Sequence, residues 1–473
     1  MTPTNWAPLA AMAVIVACAS PGAQPPPTLH PLPAAELARE VDPIVEAGMR
    51  EFKFPGISLV IMRGHTVLLS KGYGMANRET GTPATDSTVY GVGSLSKQMT
   101  AAAIMTLVEK GRVRLDDPLS KYLPELPIAR DNALRIRTLL RQASGVPTWD
   151  EFPELQGLGF EPDSTRFTFG RIVSMIGERP PLFKPDSWWS YSNSNYTLLA
   201  AVIERVTGVT YDDYLTQMLF RPLGMRATRS CTRMARPGEL PRAVGYETVG
   251  DSLAVRRTRA YLEPGMTGAG GLCSSAVELA AWTRALVDGR AVSPESYRQM
   301  TTAAPVGAGF IPPYGFGVSL LPLAGQRAVW HTGVVEGFMS LLAYLPESDI
   351  IIAAIGNRRH TPLDGIVKRV ARRMLGIPAP ELLDLPVSAA EANRSAGTYD
   401  DAMFRFRIVA DSGRLYADVP DLGIREHLLY QGNHEFIVAG SREVRFRFDP
   451  LGTQAQIVAW EWSELRAFGK RVQ

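Results

Sequence analysis

A serine hydroxyl is a weak nucleophile until a neighbouring base takes its proton. In Gly93-Ser94-Leu95-Ser96-Lys97 an amine follows a serine at a spacing of three. At i and i+3 of a helix two side chains share a face, one turn apart. The run from Ser94 to Lys110, stopped by Gly111, reads as such a helix. A lysine serves as a base when a water-poor site lowers its pKa. Only eight of the chain's 50 basic residues are lysines, and no other lysine has a serine three positions before it. Where charge alone suffices the chain uses arginine, which effectively never loses its proton. Ser94 is therefore expected as nucleophile and Lys97 as its proton partner.

A second proton carrier and a carbonyl-binding group must come from elsewhere. Tyr191-Ser192-Asn193 lies in a polar, aromatic loop just before a helix: a tyrosine carries protons when cations lower its pKa, and an asparagine holds an amide. Trp330-His331-Thr332-Gly333 ends a strand at a tight turn, where a donor, a hydroxyl and bare backbone meet a carboxylate or carbonyl. Each fragment alone is as well read as core packing; their joint occurrence is what carries weight. The six histidines are scattered and no His-Glu-x-x-His is present, so the residues call for no metal, and no cofactor is expected. An α/β-hydrolase would need glycine at Val92, and Gly91-Val92-Gly93 lacks the third glycine of a dinucleotide loop.

The elements that position these groups follow from patterning. With 473 residues, 45% hydrophobic and 21% charged, the chain suits two or three globular domains. A net charge of +3 gives no ground for nucleic acid as a partner. Residues 1–20 read as an export signal without an early positive charge, Cys18 being a lipidation candidate and a plain cleaved signal the alternative. The expected location is the periplasm or cell envelope, with membrane contact only through that anchor. Residues 21–33 are a Pro-rich tether. If Cys18 is spent on export, Cys231 and Cys273 remain as an even pair, either a disulfide or two buried thiols. In 34–376, strands and a helix open the region, helices fill its middle, and strands and a helix close it. The fold class expected is α/β (α+β): an antiparallel sheet built from both ends, with a helical insertion. Residues 149–187 read as an irregular surface segment and, with Gly307–Gly317, as pocket walls. After a linker at 377–390, residues 391–473 alternate with period two and predict a small all-β barrel. Its alternating Phe and Arg read better as a half-buried strand than as a nucleic-acid surface.

Taken together, Ser94-Leu95-Ser96-Lys97, Tyr191-Ser192-Asn193 and His331-Thr332-Gly333 resemble the three signatures of the penicillin-recognising serine hydrolases. That group holds class C β-lactamases, D,D-carboxypeptidases, D-stereospecific peptidases and related esterases. Tyr90-Gly91-Val92-Gly93, Leu115-Asp116-Asp117-Pro118-Leu119 and Gly270-Gly271-Leu272-Cys273-Ser274 also match its style, and the C-terminal part is similar to a lipocalin-like barrel. The resemblance implies an acyl-enzyme at Ser94, proton handling by Lys97 and Tyr191, and support of Lys97 and the substrate amide by Asn193. It implies that His331 and Thr332 bind a substrate carboxylate or tune Tyr191, with Gly333 beside them, and that the backbone N–H groups of Ser94 and Val334 form the oxyanion hole. The substrate would be a small molecule or peptide, a cell-wall peptide among them, with an amide, β-lactam or ester to open. A weak β-lactamase or esterase, or a non-catalytic sensor of cell-wall peptides, are the other implied outcomes. Histidine at 331, where class C enzymes carry lysine, weakens the case for strong β-lactamase activity. Gln142-Ala143-Ser144-Gly145 lacks the histidine that many relatives place before the Ser-Gly.

Overall fold

The apolar runs near the two ends of region 34–376 meet in one sheet. The computed structural model describes residues 34–472 except 156–167, 232–241, 250–251, 256–263, 308, 336, 360–362, 380, 401–404, 420–423, 440, 449–453, 456 and 463–464. Cys18, the export segment and the tether lie outside the described residues. In chain order come α1 (Ala34–Glu51), β1 (Gly56–Arg63), β2 (Thr66–Asn77), the short β3 (Thr82–Pro83) and β4 (Tyr90–Gly91), and α2 (Ser96–Glu109). The middle holds α3 (Ile136–Leu140), α4 (Phe169–Gly177), α5 (Asn193–Thr207), α6 (Tyr211–Leu215), β5 (Arg229–Ser230) and the hairpin β6 (Tyr246–Val249) and β7 (Ser252–Val255). Then follow β8 (Leu272–Ser274), α7 (Ala276–Val287), α8 (Pro294–Met300), β9 (Val329–Val335), β10 (Phe338–Leu345), β11 (Ile350–Gly356) and α9 (Leu363–Leu375).

The main sheet has the order β3-β2-β1-β11-β10-β9, so the first strands and the last lie side by side. Residues 57–61 pair antiparallel with 352–356. Strands β10 and β11 are buried at every position, which requires cover on both faces. Helices α1 and α9 pack on each other and on the sheet, as does α7. The buried stripe of α1 is Leu37, Val41 and Val45, spaced by four. The helical insertion is thus tied to the sheet through α2 and β4, the connection that carries Ser94.

Two local readings change. The segment 149–187 is not wholly irregular: α4 lies in it and buries Ile172, Val173 and Ile176. The run from Tyr211 to Phe220, whose apolar spacing alone would read as one helix, is a short α6 that widens into a π turn at Thr216–Phe220. The sequence pattern also gave no sign of α8, which is seven residues long.

After α10 (Ala389–Ser395), eight antiparallel strands follow: β12 (Gly397–Asp400), β13 (Arg405–Asp411), β14 (Arg414–Val419), β15 (Ile424–Gly432), β16 (Glu435–Val438), β17 (Ser441–Phe448), β18 (Ile457–Trp462) and β19 (Leu465–Arg471). Each pairs with the next, and β12 pairs with β19 to close a barrel. Phe406, Phe446 and Phe448 point into its core, while Arg407 pairs with Asp418, and Arg445 and Arg447 with Glu435. The Phe/Arg alternation is therefore the inside and outside of one wall.

Cys231 and Cys273 are bonded to each other, and both are buried. The bond crosses 42 residues and holds the segment after β5 against β8. Closing a loop of that size removes unfolded-state entropy worth about 2–4 kcal/mol. Replacing both cysteines by serine is expected to lower the urea midpoint by that free energy, and reductant is expected to shift the wild type equally. A midpoint that moves in neither case would show that the bond adds no stability.

Candidate active site

The site begins with a turn. Gly93–Leu95 form a 3-10 turn that runs into α2, so Ser94 sits in that turn, two residues before the α-helix and not within it. Ser96 latches the turn, its hydroxyl donating to the Gly93 carbonyl at 2.7 Å and accepting from Leu272 N at 3.3 Å. Gly93 has φ of +53°, and a Cβ there would lie 2.7 Å from Val334 N. A Cβ on Gly333 would lie 1.9 Å from the Val92 carbonyl oxygen. Two glycines thus let β9 run against the serine turn, which places the backbone of Gly93, next to Ser94, beside that of Val334. Ser340 Oγ adds a bond to the Val92 carbonyl at 2.8 Å.

Lys97 is fully buried. Its Nζ donates to Ser94 Oγ at 2.9 Å, Asn193 Oδ1 at 2.7 Å and the Ala269 carbonyl at 2.8 Å. An ammonium has three hydrogens and no acceptor, so these three partners satisfy it. The Ala269 carbonyl comes from the turn between Met266 and Gly271, whose N–H groups at 269, 270 and 271 all bond to the Met266 carbonyl. Thr100 Oγ1 fastens that turn to α2 through the Gly268 carbonyl at 2.7 Å.

Tyr191 enters from the loop before α5, and Asn193 is the first residue of that helix. The Tyr191 ring centroid lies 4.8 Å from Lys97 Nζ. Gln142 braces this loop: with φ of +63°, its Oε1 accepts from Ser192 N at 3.1 Å and its carbonyl from Ser190 N at the same distance. The residue that departs from the family's histidine is therefore a splint for the tyrosine loop.

His331 and Thr332 are buried on β9. His331 Nδ1 lies 2.6 Å from the Thr332 carbonyl, which can only accept, so the proton is on Nδ1. Nε2 then accepts from the Tyr314 hydroxyl at 3.0 Å. Burial, and secondly the charge of Lys97, push the His331 pKa down to about 3. The imidazole is neutral and both nitrogens are engaged within the protein, an arrangement that fits the other implied role, tuning Tyr191. It fixes Tyr314, whose ring meets Tyr191 edge-on at 6.1 Å. The Thr332 hydroxyl is buried without a hydrogen-bond partner. Trp188, Trp189, Phe310 and Tyr314 form an aromatic wall here, and Ala459 of β18 packs on it.

The structure thus brings Ser94, Lys97, Tyr191, Asn193, His331, Thr332, Gly333 and Val334 into one place, from three separate parts of the chain. This constellation coincides with a match of residues 41–375 to the family model for beta-lactamase. The chain belongs to the beta-lactamase family. Among curated relatives of this beta-lactamase-family chain, the putative penicillin-binding protein PbpX of Bacillus subtilis is 28% identical over 328 residues, 69% of this chain and 76% of that one. The octameric penicillin-binding protein homologue from Pyrococcus abyssi superposes with a TM-score of 0.65 at 25% identity, over 91% of this chain and 99% of the other. A D-amino acid amidase from Ochrobactrum anthropi SV3, complexed with L-phenylalanine amide, gives 0.63 at 25% identity, over 72% and 99%. Together the family match and these likenesses support a serine hydrolase of the beta-lactamase fold.

Sequence reasoning missed the Ala269 carbonyl, Gln142, Tyr314 and Asp150, whose carboxylate oxygens lie 3.1 and 3.2 Å from Asn193 Nδ2. A backbone carbonyl has no side-chain signature. Tyr314 lay within a stretch marked only as pocket wall, and Gln142 was visible as a departure without a consequence.

The His331 shift has a sign that can be tested. Between about 3 and 6.5 the unfolded chain binds a proton at this residue and the folded chain does not. Stability therefore falls as pH falls through that window, by about 1.4 kcal/mol per unit from this group. His331→Gln is expected to flatten the pH dependence of urea unfolding between pH 6 and pH 4 by about that slope. An equal slope in both proteins would remove His331 as the cause.

Proposed function

We propose that the enzyme opens an amide bond of a D-configured acyl donor through an acyl-enzyme at Ser94. The observation that carries this is Lys97 Nζ at 2.9 Å from Ser94 Oγ, held by Asn193 and Ala269. Lys97 first releases a proton to solvent, and its free amine takes the one that leaves Ser94 Oγ as that oxygen bonds to the carbonyl carbon. The oxyanion formed is met by the adjacent backbone N–H groups of Ser94 and Val334. When the C–N bond breaks, a proton passes through Lys97 and Tyr191 to the departing amine. A water then attacks the ester by the reverse relay and frees the acid and the Ser94 hydroxyl. The preference for a D-configured amide rests on likeness to the D-amino acid amidase, and neutral His331 fits slow turnover of anionic β-lactams.

Labelling with a fluorescent fluorophosphonate tests the nucleophile. Wild type is expected to label and Ser94→Ala not to. Lys97→Ala is expected to keep its fold by circular dichroism and to acylate at least about 100-fold more slowly. Labelling of Ser94→Ala at the wild-type level would remove Ser94 from the reaction, and an undiminished rate in Lys97→Ala would remove the amine.

A further inference from the structure

Asp150 lies on the 3-10 turn Trp149–Glu151, at the exposed edge of the site. Asn193 Nδ2 is 3.1 and 3.2 Å from its two carboxylate oxygens. Thr148 Oγ1 donates to Asp150 Oδ1 and accepts from Asn193 N at 3.2 Å. The Asn193 amide can face only one way: the Lys97 ammonium has donors alone and the Asp150 carboxylate acceptors alone, so Oδ1 turns to the first and Nδ2 to the second.

This arrangement changes what the NH2 group of Asn193 offers. Its other expected task is to donate to a carbonyl on the acyl side of the substrate. With Asp150 in front of it, such a carbonyl oxygen would bring its partial negative charge against a carboxylate. A primary ammonium in that position would be attracted and would donate a charge-assisted hydrogen bond. At the other end of the site His331 is neutral and committed to Tyr314 and Thr332, so it adds no positive charge for an anionic substrate.

We propose that Asp150 receives a protonated amine on the acyl side of the substrate, so that amides of amino acids with a free α-amino group are taken in preference to their N-acylated counterparts. The proposal rests on the acyl-enzyme reading of Ser94 and adds the charge class of the acyl group.

The test compares the p-nitroanilides of D-alanine and D-phenylalanine with their N-acetyl forms, in wild type, Asp150→Asn and Asp150→Glu. Fluorophosphonate labelling, which needs Ser94 but no amine, is run on each protein beside it. Wild type is expected to favour the free amines in kcat/KM. In Asp150→Asn the ratio of free to acetylated substrate is expected to fall about tenfold, mainly through KM. Asp150→Glu, which keeps the charge, is expected to retain a preference for the free amine. If Asp150→Asn labels normally and its ratio equals that of wild type, the proposal fails while the serine hydrolase reading stands. The same holds if both substrates lose rate equally, which is what a purely structural Asp150 would give, or if wild type labels but turns over no free-amine anilide. Absence of labelling in wild type would overturn the acyl-enzyme reading and this proposal with it.

Discussion

A buried ammonium with three hydrogens needs three acceptors, and most of the site can be understood as their supply. Lys97 is fully enclosed, and leaving such a charge unpaired would cost several kcal/mol. The acceptors are Ser94 Oγ, Asn193 Oδ1 and the Ala269 carbonyl. One is local, one begins α5, and one belongs to the turn before β8. The lysine therefore joins three segments that are far apart in the chain, and the bond to Ser94 is the chemically useful member of that set.

Close backbone approach is the second constraint. Only glycine at 93 and 333 lets the serine turn and β9 lie together, because a Cβ at either would meet backbone atoms at 2.7 or 1.9 Å. The long sheet fixes β9 through its register with β10, where His331 faces Leu342 and Gly333 faces Ser340. Val334 is thus placed by the sheet, and Ser94 by the turn that leads into α2. The disulfide secures β8, which lies between β4 and β5 and adjoins the lysine's third acceptor.

Charge is distributed unevenly around the nucleophile. Asp150 stands on one side of Asn193, and neutral His331 supports Tyr314 on the other. The aromatic wall of Trp188, Trp189 and Tyr314 includes a contact from Ala459 of the barrel, so the C-terminal domain reaches the wall of the site.

The strands at both ends of 34–376, the barrel strands and helix α9 were legible because their apolar periodicities are strong and local. So were the pairing of Ser94 with Lys97 by spacing and the motif residues Tyr191, Asn193 and His331. Short elements such as α8, and the junction of 3-10 turn and helix at Ser94, were not, since a few residues carry too little pattern to separate a turn from a helix. The tautomer of His331, the splint made by Gln142 and the orientation of Asn193 by Asp150 depend on partners up to 50 residues away. Residue types and local spacing by themselves determined which groups can do chemistry and which segments become strands. Only tertiary structure decided which carbonyl, hydroxyl or carboxylate each group faces, because hydrogen bonding depends on distance and direction in space, and the chain brings those together only by folding.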